Sequence, residues 1–125
     1  MVARTQADLY VATDGNDQWS GTLPEPRADG SDGPFASIAG ARAAIAQLRA
    51  RGRSGEVVVL IRGGRYYVEP AVVTGIARDA AEPVDRVTYA PYADEEPVCS
   101  SGVDIPGWRQ RQDWYLTLYL PPLLP

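Results

Sequence analysis

The residues best suited to chemistry lie in a polar, glycine-rich loop near the start of the chain. Asp14, Asn16 and Asp17 stand close together there, and their side-chain oxygens are the ligand type that calcium prefers. The spacing does not fit an EF-hand loop, because Trp19 occupies the position of its invariant glycine. Asx-type turns are therefore the favoured interpretation, and a weak calcium site is the alternative.

Carboxylates that could serve glycoside hydrolysis are present, but the sequence does not pair them. That reaction uses two carboxylates flanking a sugar and requires no histidine. The spacing of the candidates gives no reason to bring any two together, so the sequence leaves the catalytic residues unknown. The candidates are Asp14, Asp17, Asp79, Glu82 and Asp104.

The amino-acid composition excludes several kinds of site. The chain has 125 residues with no histidine and a single cysteine, Cys99. Ser-His-Asp and Cys-His catalysis, zinc-finger sites and an internal disulfide are therefore excluded within this chain. Cys99 stands in an apolar segment with no basic partner implied. We interpret it as a small buried hydrophobic residue and not as a nucleophile.

Aromatic and basic residues supply two further candidate sites. Three tryptophans could stack on sugar faces, although packing in the core or at chain corners is the favoured interpretation of each: Trp19, Trp108 and Trp114. A run of four arginines could form a phosphate patch: Arg42, Arg49, Arg51 and Arg53. Solubility and complementarity to a helix dipole explain the arginines better, because no aromatic residue is interleaved and the net charge is −4.

The composition also limits partners and location. The balance of 12 basic and 16 acidic residues does not favour nucleic acid as a partner. No apolar run approaches the roughly 18 residues that a membrane span needs. No signal peptide is visible at the start of the chain, and the localisation remains unknown. The length is that of one domain with a modest core.

A buried strand at 57–61 is the element around which the predicted fold is organised. Five consecutive apolar residues predict a strand covered on both faces. The Gly63-Gly64 pair predicts a sharp corner, and a new strand begins at Tyr66. A helix is predicted at 37–51, with Ser37 as N-cap and Gly52 just beyond its end.

Short strands are predicted through most of the remaining chain. They are expected at 9–12, 71–74, 87–89, 98–101 and 114–120. The apolar stripe of the predicted helix consists of Ile38, Ala41, Ile45 and Leu48. The pattern of short strands and one helix permits either a sandwich or a solenoid.

Three sequence blocks together resemble a known group of proteins. They are YVATDGND…SGT…GPFASIAGARAAIAQLR, VVVLIRGGRYYV and VTYAPYADEEPVCSSGVDIPGW. They resemble the N-terminal part of right-handed parallel β-helix proteins of the pectate-lyase-like superfamily, which includes glycoside hydrolases and polysaccharide lyases. The resemblance covers roughly residues 9–108. It is more specific for the fold than for the substrate.

The resemblance implies a mainly β fold, the start of a right-handed parallel β-helix with one N-terminal capping α-helix. The whole chain would be one domain, with a strand and long loop at 8–34, the capping helix at 37–52 and β coils at 56–120. Members of the group are often secreted, and their catalytic residues usually lie on later coils. The chain therefore resembles an inactive N-terminal capping fragment of a carbohydrate-active protein, with a glycoside hydrolase as the favoured class.

Other functions remain open at this point. The main alternative is a non-catalytic module that binds a polysaccharide or oligosaccharide, or that assembles through an open coil end. Such a coil end would expose unpaired strand edges, so self-association is expected. A nucleotide-binding domain ranks last, because the Gly63-Gly64 corner lacks the glycine fingerprint and the P-loop residues. No cofactor beyond the weak calcium site is expected.

Overall fold

The structure, a computed structural model, describes residues 5–82, 84–104 and 111–115. Two helices and six strands occur in these ranges. In chain order they are β1 (Leu9–Val11), α1 (Ile38–Ala50), β2 (Val57–Ile61), β3 (Gly64–Tyr67), α2 (Pro70–Ala81), β4 (Val87–Pro91), β5 (Pro97–Asp104) and β6 (Arg111–Tyr115).

The first sheet contains three parallel strands in the order β1-β2-β4. Because all three are parallel, residues of the same parity lie on the same face. Val57 pairs with Val87, 30 positions later in the chain, and the same offset continues to the pair Ile61 and Pro91. The chain thus returns to this sheet, one strand further along, after each crossover.

The second sheet has the order β3-β5-β6. Gly64 of β3 pairs in parallel with Pro97 of β5, 33 positions later, so this sheet also gains a strand as the chain returns. β6 then pairs antiparallel with β5. The sequence interpretation had allowed 114–120 to form the strand of the next coil, which would be parallel. Only six residues separate Asp104 from Arg111, and a parallel crossover needs a dozen or more.

One continuous core fills the space between the two sheets and the two helices. β2 is covered on both faces, as predicted, because Val59 and Ile61 point into this core and Leu60 points to the opposite face. The principal cluster combines the inward residues of sheets and helices: Leu9, Val11, Phe35, Ile38, Ala41, Ile45, Val57, Val59, Ile61, Tyr66, Val68, Ile76, Val87, Tyr89 and Cys99. A smaller cluster on the outer face of the first sheet contains Tyr10, Leu60 and Ala90.

The structure confirms the predicted helix α1 almost to the residue. The Ser37 hydroxyl accepts a hydrogen bond from the Gly40 amide at 2.9 Å and so caps the first turn. Gly52 follows the helix with a φ of 101°, a conformation that glycine adopts without steric cost. Of the predicted apolar stripe, Ile38, Ala41 and Ile45 are buried and Leu48 is partly buried against them. α1 contacts β1, the first strand of its sheet.

The prediction of a strand at 71–74 was wrong, and so was the expectation of a single helix. These residues belong to α2, which packs against β4 within the segment predicted to be β coils. Pro70 stands at the first helical position, where proline is favoured, and Val72 and Ile76 lie one turn apart on the packed side. Among the described residues, no helix is long and apolar enough to cross a membrane.

The long loop between β1 and α1 covers the outer edge of β1. The Tyr10 amide donates to the Gly21 carbonyl at 2.7 Å, and the Phe35 amide donates to the Tyr10 carbonyl at 2.9 Å. The Ala12 amide in turn donates to the Phe35 carbonyl at 2.9 Å. The backbone groups of this edge strand are therefore paired, which protects them from pairing with another chain.

Candidate functional site

The loop residues suggested as calcium ligands do not converge in the structure. The Asn16 side chain accepts a hydrogen bond from the Gln18 amide at 2.8 Å, which is an Asx turn. The Asp17 carboxylate accepts hydrogen bonds from the Ala36 amide at 2.8 Å and the Ser37 hydroxyl at 2.7 Å. Asp14 lines a different cleft. Within the described ranges, no three or more His, Cys, Asp or Glu side chains form a group that could hold a metal ion.

Asp17 instead fixes the loop to the start of α1. Its two oxygens bind the backbone and side chain of the capping residue Ser37, including the Ser37 amide at 3.0 Å. The Gly40 Cα lies so close to the Asp17 carboxylate that an added methyl group would approach within 2.5 Å of an oxygen. A negative charge at this end of the helix is also favoured by the helix dipole. These contacts join the loop to the first turn of α1.

A groove of about 640 Å³ lies between this loop and α1, and Trp19 forms part of its wall. Trp19 is half-buried, and its six-membered ring packs closely against the backbone at Gly33. Ala44 and Leu48, which are partly buried, add apolar surface to the groove, whereas Leu9 and Phe35 are each only 4 % exposed. The groove therefore combines a positioned indole with an apolar lining, which is typical of small-molecule sites.

Some polar side chains of the groove are hydrogen-bonded within the protein, and others are not. Arg53 donates to the Asp8 carboxylate at 3.0 Å, and Asp8 also accepts from the Val58 amide at 2.8 Å. Gln47, in the last turn of α1, and Arg51, the residue that follows the helix, are both exposed and both line the groove. Neither of these two side chains hydrogen-bonds to any described residue, so both are available to an occupant.

The structure places the three tryptophans differently. Trp19 lines the groove between the loop and α1. Trp114 belongs to β6, where its backbone pairs with Cys99 in the second sheet. Trp108 lies outside the described residues. The sequence analysis did not name Gln47 and considered Arg51 only as part of a phosphate patch, yet both line the same groove as Trp19.

Three of the four arginines stabilise the fold instead of forming a phosphate patch. Arg42 binds Asp79 of α2 at 3.1 Å, and the Tyr89 hydroxyl donates to the same carboxylate at 3.1 Å. Arg49 donates to three backbone carbonyls, and Arg53 binds Asp8. Burial of Tyr89 raises the pKa of its phenol, so this hydroxyl stays protonated and donates.

A second cleft, of about 400 Å³, lies where the chain turns from the first sheet to the second. Glu95 binds Arg62 through both oxygens, at 2.9 and 3.0 Å, and accepts the Gly63 amide at 2.8 Å. The Arg62 guanidinium also lies 4.2 Å from the centre of the Tyr92 ring and donates to the Pro24 carbonyl. These contacts join two successive corners of the chain, so we assign the cluster a structural role.

We expect Glu95→Gln to lower the free energy of unfolding by about 1 kcal/mol at neutral pH, since it weakens a partly exposed, charge-assisted pair. Hydrogen bonds from Arg62 hold the pKa of Glu95 below its ordinary value of 4.5. A lowered folded-state pKa adds stability above the unfolded-state pKa, and that stability is lost as the pH falls through the folded-state value. The difference from wild type should therefore shrink in acid, measured by urea unfolding across pH.

Glu96→Gln provides the matched control, because Glu96 is exposed and adjacent. It should change the free energy of unfolding by no more than about 0.5 kcal/mol. A Glu95→Gln protein as stable as wild type at neutral pH would contradict the structural role. So would a difference that does not vary with pH.

Cys99 is fully buried, in agreement with its interpretation as a hydrophobic residue. Burial raises the pKa of the thiol to about 12, so the reactive thiolate is not populated at neutral pH. The thiol packs within the principal core cluster. Cys99 therefore contributes packing and no nucleophilic chemistry.

Comparison with known proteins gave no relative: no family model, no curated protein and no solved structure matches this chain.

Proposed function

We propose that the chain is the N-terminal capping segment of a carbohydrate-active parallel β-helix protein, with a glycoside hydrolase as the favoured class. The segment supplies the lid and the first coils and is itself inactive. The catalytic carboxylates belong to coils that follow it. The proposal combines the resemblance of the three sequence blocks with the strand arrangement.

The main observation behind the proposal is that successive strands pair in parallel in both sheets at similar sequence offsets. β2 is followed by β4 in the first sheet and β3 by β5 in the second, at offsets of 30 and 33 residues. In each turn a strand of the first sheet precedes a corner and a strand of the second. This order supports a coil, because a sandwich of antiparallel hairpins would not pair successive strands in parallel.

The position of α1 supports its role as a lid. It contacts β1, which is the outermost strand of its sheet, and it contributes Ile38, Ala41 and Ile45 to the same core as the strands. A terminal repeat needs such a cover, because otherwise its apolar interior meets water. The loop hydrogen bonds that pair the edge of β1 serve the same purpose.

The described carboxylates support the view that this segment lacks the catalytic pair. Asp17 binds the start of α1, Asp79 binds Arg42, and Glu95 binds Arg62.

Assembly through an open coil end is the second candidate. β4 is the last strand of the first sheet, and no described residue pairs with its backbone on the side away from β2. An uncovered strand edge favours pairing with a further strand, from a following coil or from a second copy.

The proposal is tested by activity assays on the 125-residue chain and by reading the coding sequence that follows codon 125. We expect no turnover of aryl-glycosides or polysaccharides, and we expect further coils with a pair of acidic residues downstream. Light scattering on the same preparation separates the second candidate, because a monomer at every concentration excludes self-association. Turnover by this chain, or a downstream sequence without further strands, would contradict the proposal.

A further inference from the structure

We propose that the groove between α1 and the loop at 13–34 binds an uncharged saccharide, with Trp19 as the surface on which a sugar ring stacks. The inference rests on the proposed carbohydrate-active function and assigns it a binding site in this chain.

The groove has the size and shape of a ligand site. Its volume of about 640 Å³ lies within the range of about 300–1,000 Å³ that is common for small-molecule sites. Trp19 is held at its ring and at its backbone, since the ring packs against Gly33 and the Trp19 amide donates to the Asn16 carbonyl at 3.0 Å. A ring that is already positioned loses little conformational freedom when a ligand binds.

The apolar part of the groove suits the C–H face of a sugar ring. The face of an indole carries partial negative charge, and the axial C–H groups of a pyranose carry partial positive charge. Ala44 and Leu48, which are only partly buried, extend the apolar surface of the groove beyond Trp19. Such a surface attracts a ligand that is itself amphipathic, as a pyranose ring is.

The polar part of the groove suits hydroxyl groups. The Gln47 amide can donate and accept hydrogen bonds, and the Arg51 guanidinium can donate several. Both side chains are exposed and line the groove, and neither hydrogen-bonds to another described residue. A sugar hydroxyl both donates and accepts, so it can satisfy either group.

The charges that line the groove favour an uncharged ligand. The carboxylates of Asp8 and Asp17 balance the guanidinium groups of Arg51 and Arg53. Arg53 is moreover already bound to Asp8 at 3.0 Å. A polyuronate or a phosphate would meet no excess of positive charge, and it would approach two carboxylates.

Calorimetric titration of the 125-residue chain tests the inference. The probes are short oligosaccharides of glucose, xylose and mannose, in α- and β-linked forms, together with an oligogalacturonate as the anionic comparison. We expect at least one neutral probe to bind more tightly than the oligogalacturonate. Trp19→Ala should weaken that binding about tenfold or more, as expected on loss of an aromatic contact. Gln47→Ala and Arg51→Ala should each weaken it severalfold.

Arg78→Ala is the matched control for Arg51→Ala, because Arg78 is an exposed arginine near the end of the other helix and outside the groove. It should bind like wild type. Gln47→Ala places a strong helix former at an exposed helical position, so it keeps the test decisive even if Trp19→Ala fails to fold.

Three results would overturn the inference: no neutral probe binds, the oligogalacturonate binds best, or folded Trp19 and Gln47 variants bind like wild type. These failures differ from failure of the proposed function, which appears as turnover by this chain or as an absence of coils downstream.

Discussion

Leu60→Ala is expected to lower the free energy of unfolding by about 2–5 kcal/mol, the usual cost of truncating a fully buried leucine. The Leu60 side chain is 0 % exposed although it points away from the principal core. It lies between Tyr10 and Ala90 in the register of three parallel strands. Total stabilities of single domains are about 5–15 kcal/mol, so this loss could unfold a large fraction of the protein.

Urea unfolding of Leu60→Ala measures the effect, and Val84→Ala provides the control. Val84 is 70 % exposed, and its truncation should change the free energy of unfolding by no more than about 0.5 kcal/mol. If Leu60→Ala were as stable as wild type, the outer face of the first sheet would not be covered in solution. The parallel stacking of β1, β2 and β4 would then lose its main support.

The sequence predicted the elements whose signals are local and mutually consistent. Five apolar residues in a row indicated the strand β2. A strand that is covered on both faces has apolar side chains at every position, not only at alternate ones. Ser37 and Gly52 indicated the ends of α1, because each has a specific role in terminating a helix. These signals depend on neighbours in the chain and required no knowledge of the tertiary structure.

The sequence analysis missed α2 because its signals conflict. The residues at 71–74 include two valines and a threonine, and β-branched residues favour a strand. Pro70 favours a helix start, and the helix is completed by the burial of Ile76 against the core. Gly75 then leaves space for the Arg42 side chain from α1. That last contact joins residues far apart in the chain, so propensity alone could not indicate it.

The candidate site was likewise predictable only in its local part. Trp19 could be selected from the sequence as an aromatic residue in a polar loop. The sequence could not indicate that Trp19 shares a groove with Gln47 and Arg51, because that arrangement depends on the binding of Asp17 to the start of α1. The calcium interpretation failed to anticipate that binding, since a carboxylate that caps a helix and one that binds a metal are alike in sequence.

Gly21→Ala is expected to be as damaging as Leu60→Ala, with a loss of about 2–5 kcal/mol in the free energy of unfolding. Gly21 has a φ of 75°, which costs about 1–2 kcal/mol for a residue with a side chain. A methyl group there would also overlap the Phe35 ring, and overpacking typically costs about 1–3 kcal/mol more. The two effects differ in origin, so they can be separated experimentally.

Gly30→Ala separates them. Gly30 has nearly the same φ, 73°, but no atom lies within 4 Å of the position that its methyl group would occupy. It should therefore show the conformational cost alone, and the difference between the two variants in urea unfolding should equal the cost of displacing Phe35. Because the Gly21 carbonyl accepts the Tyr10 amide and Phe35 pairs with the same residue, that displacement also opens the edge of β1. Gly21→Ala should consequently aggregate more readily than Gly30→Ala at equal concentration. Equal stability of the two variants would show that the loop does not hold Phe35 against Gly21, and the protection of this edge would then need another explanation.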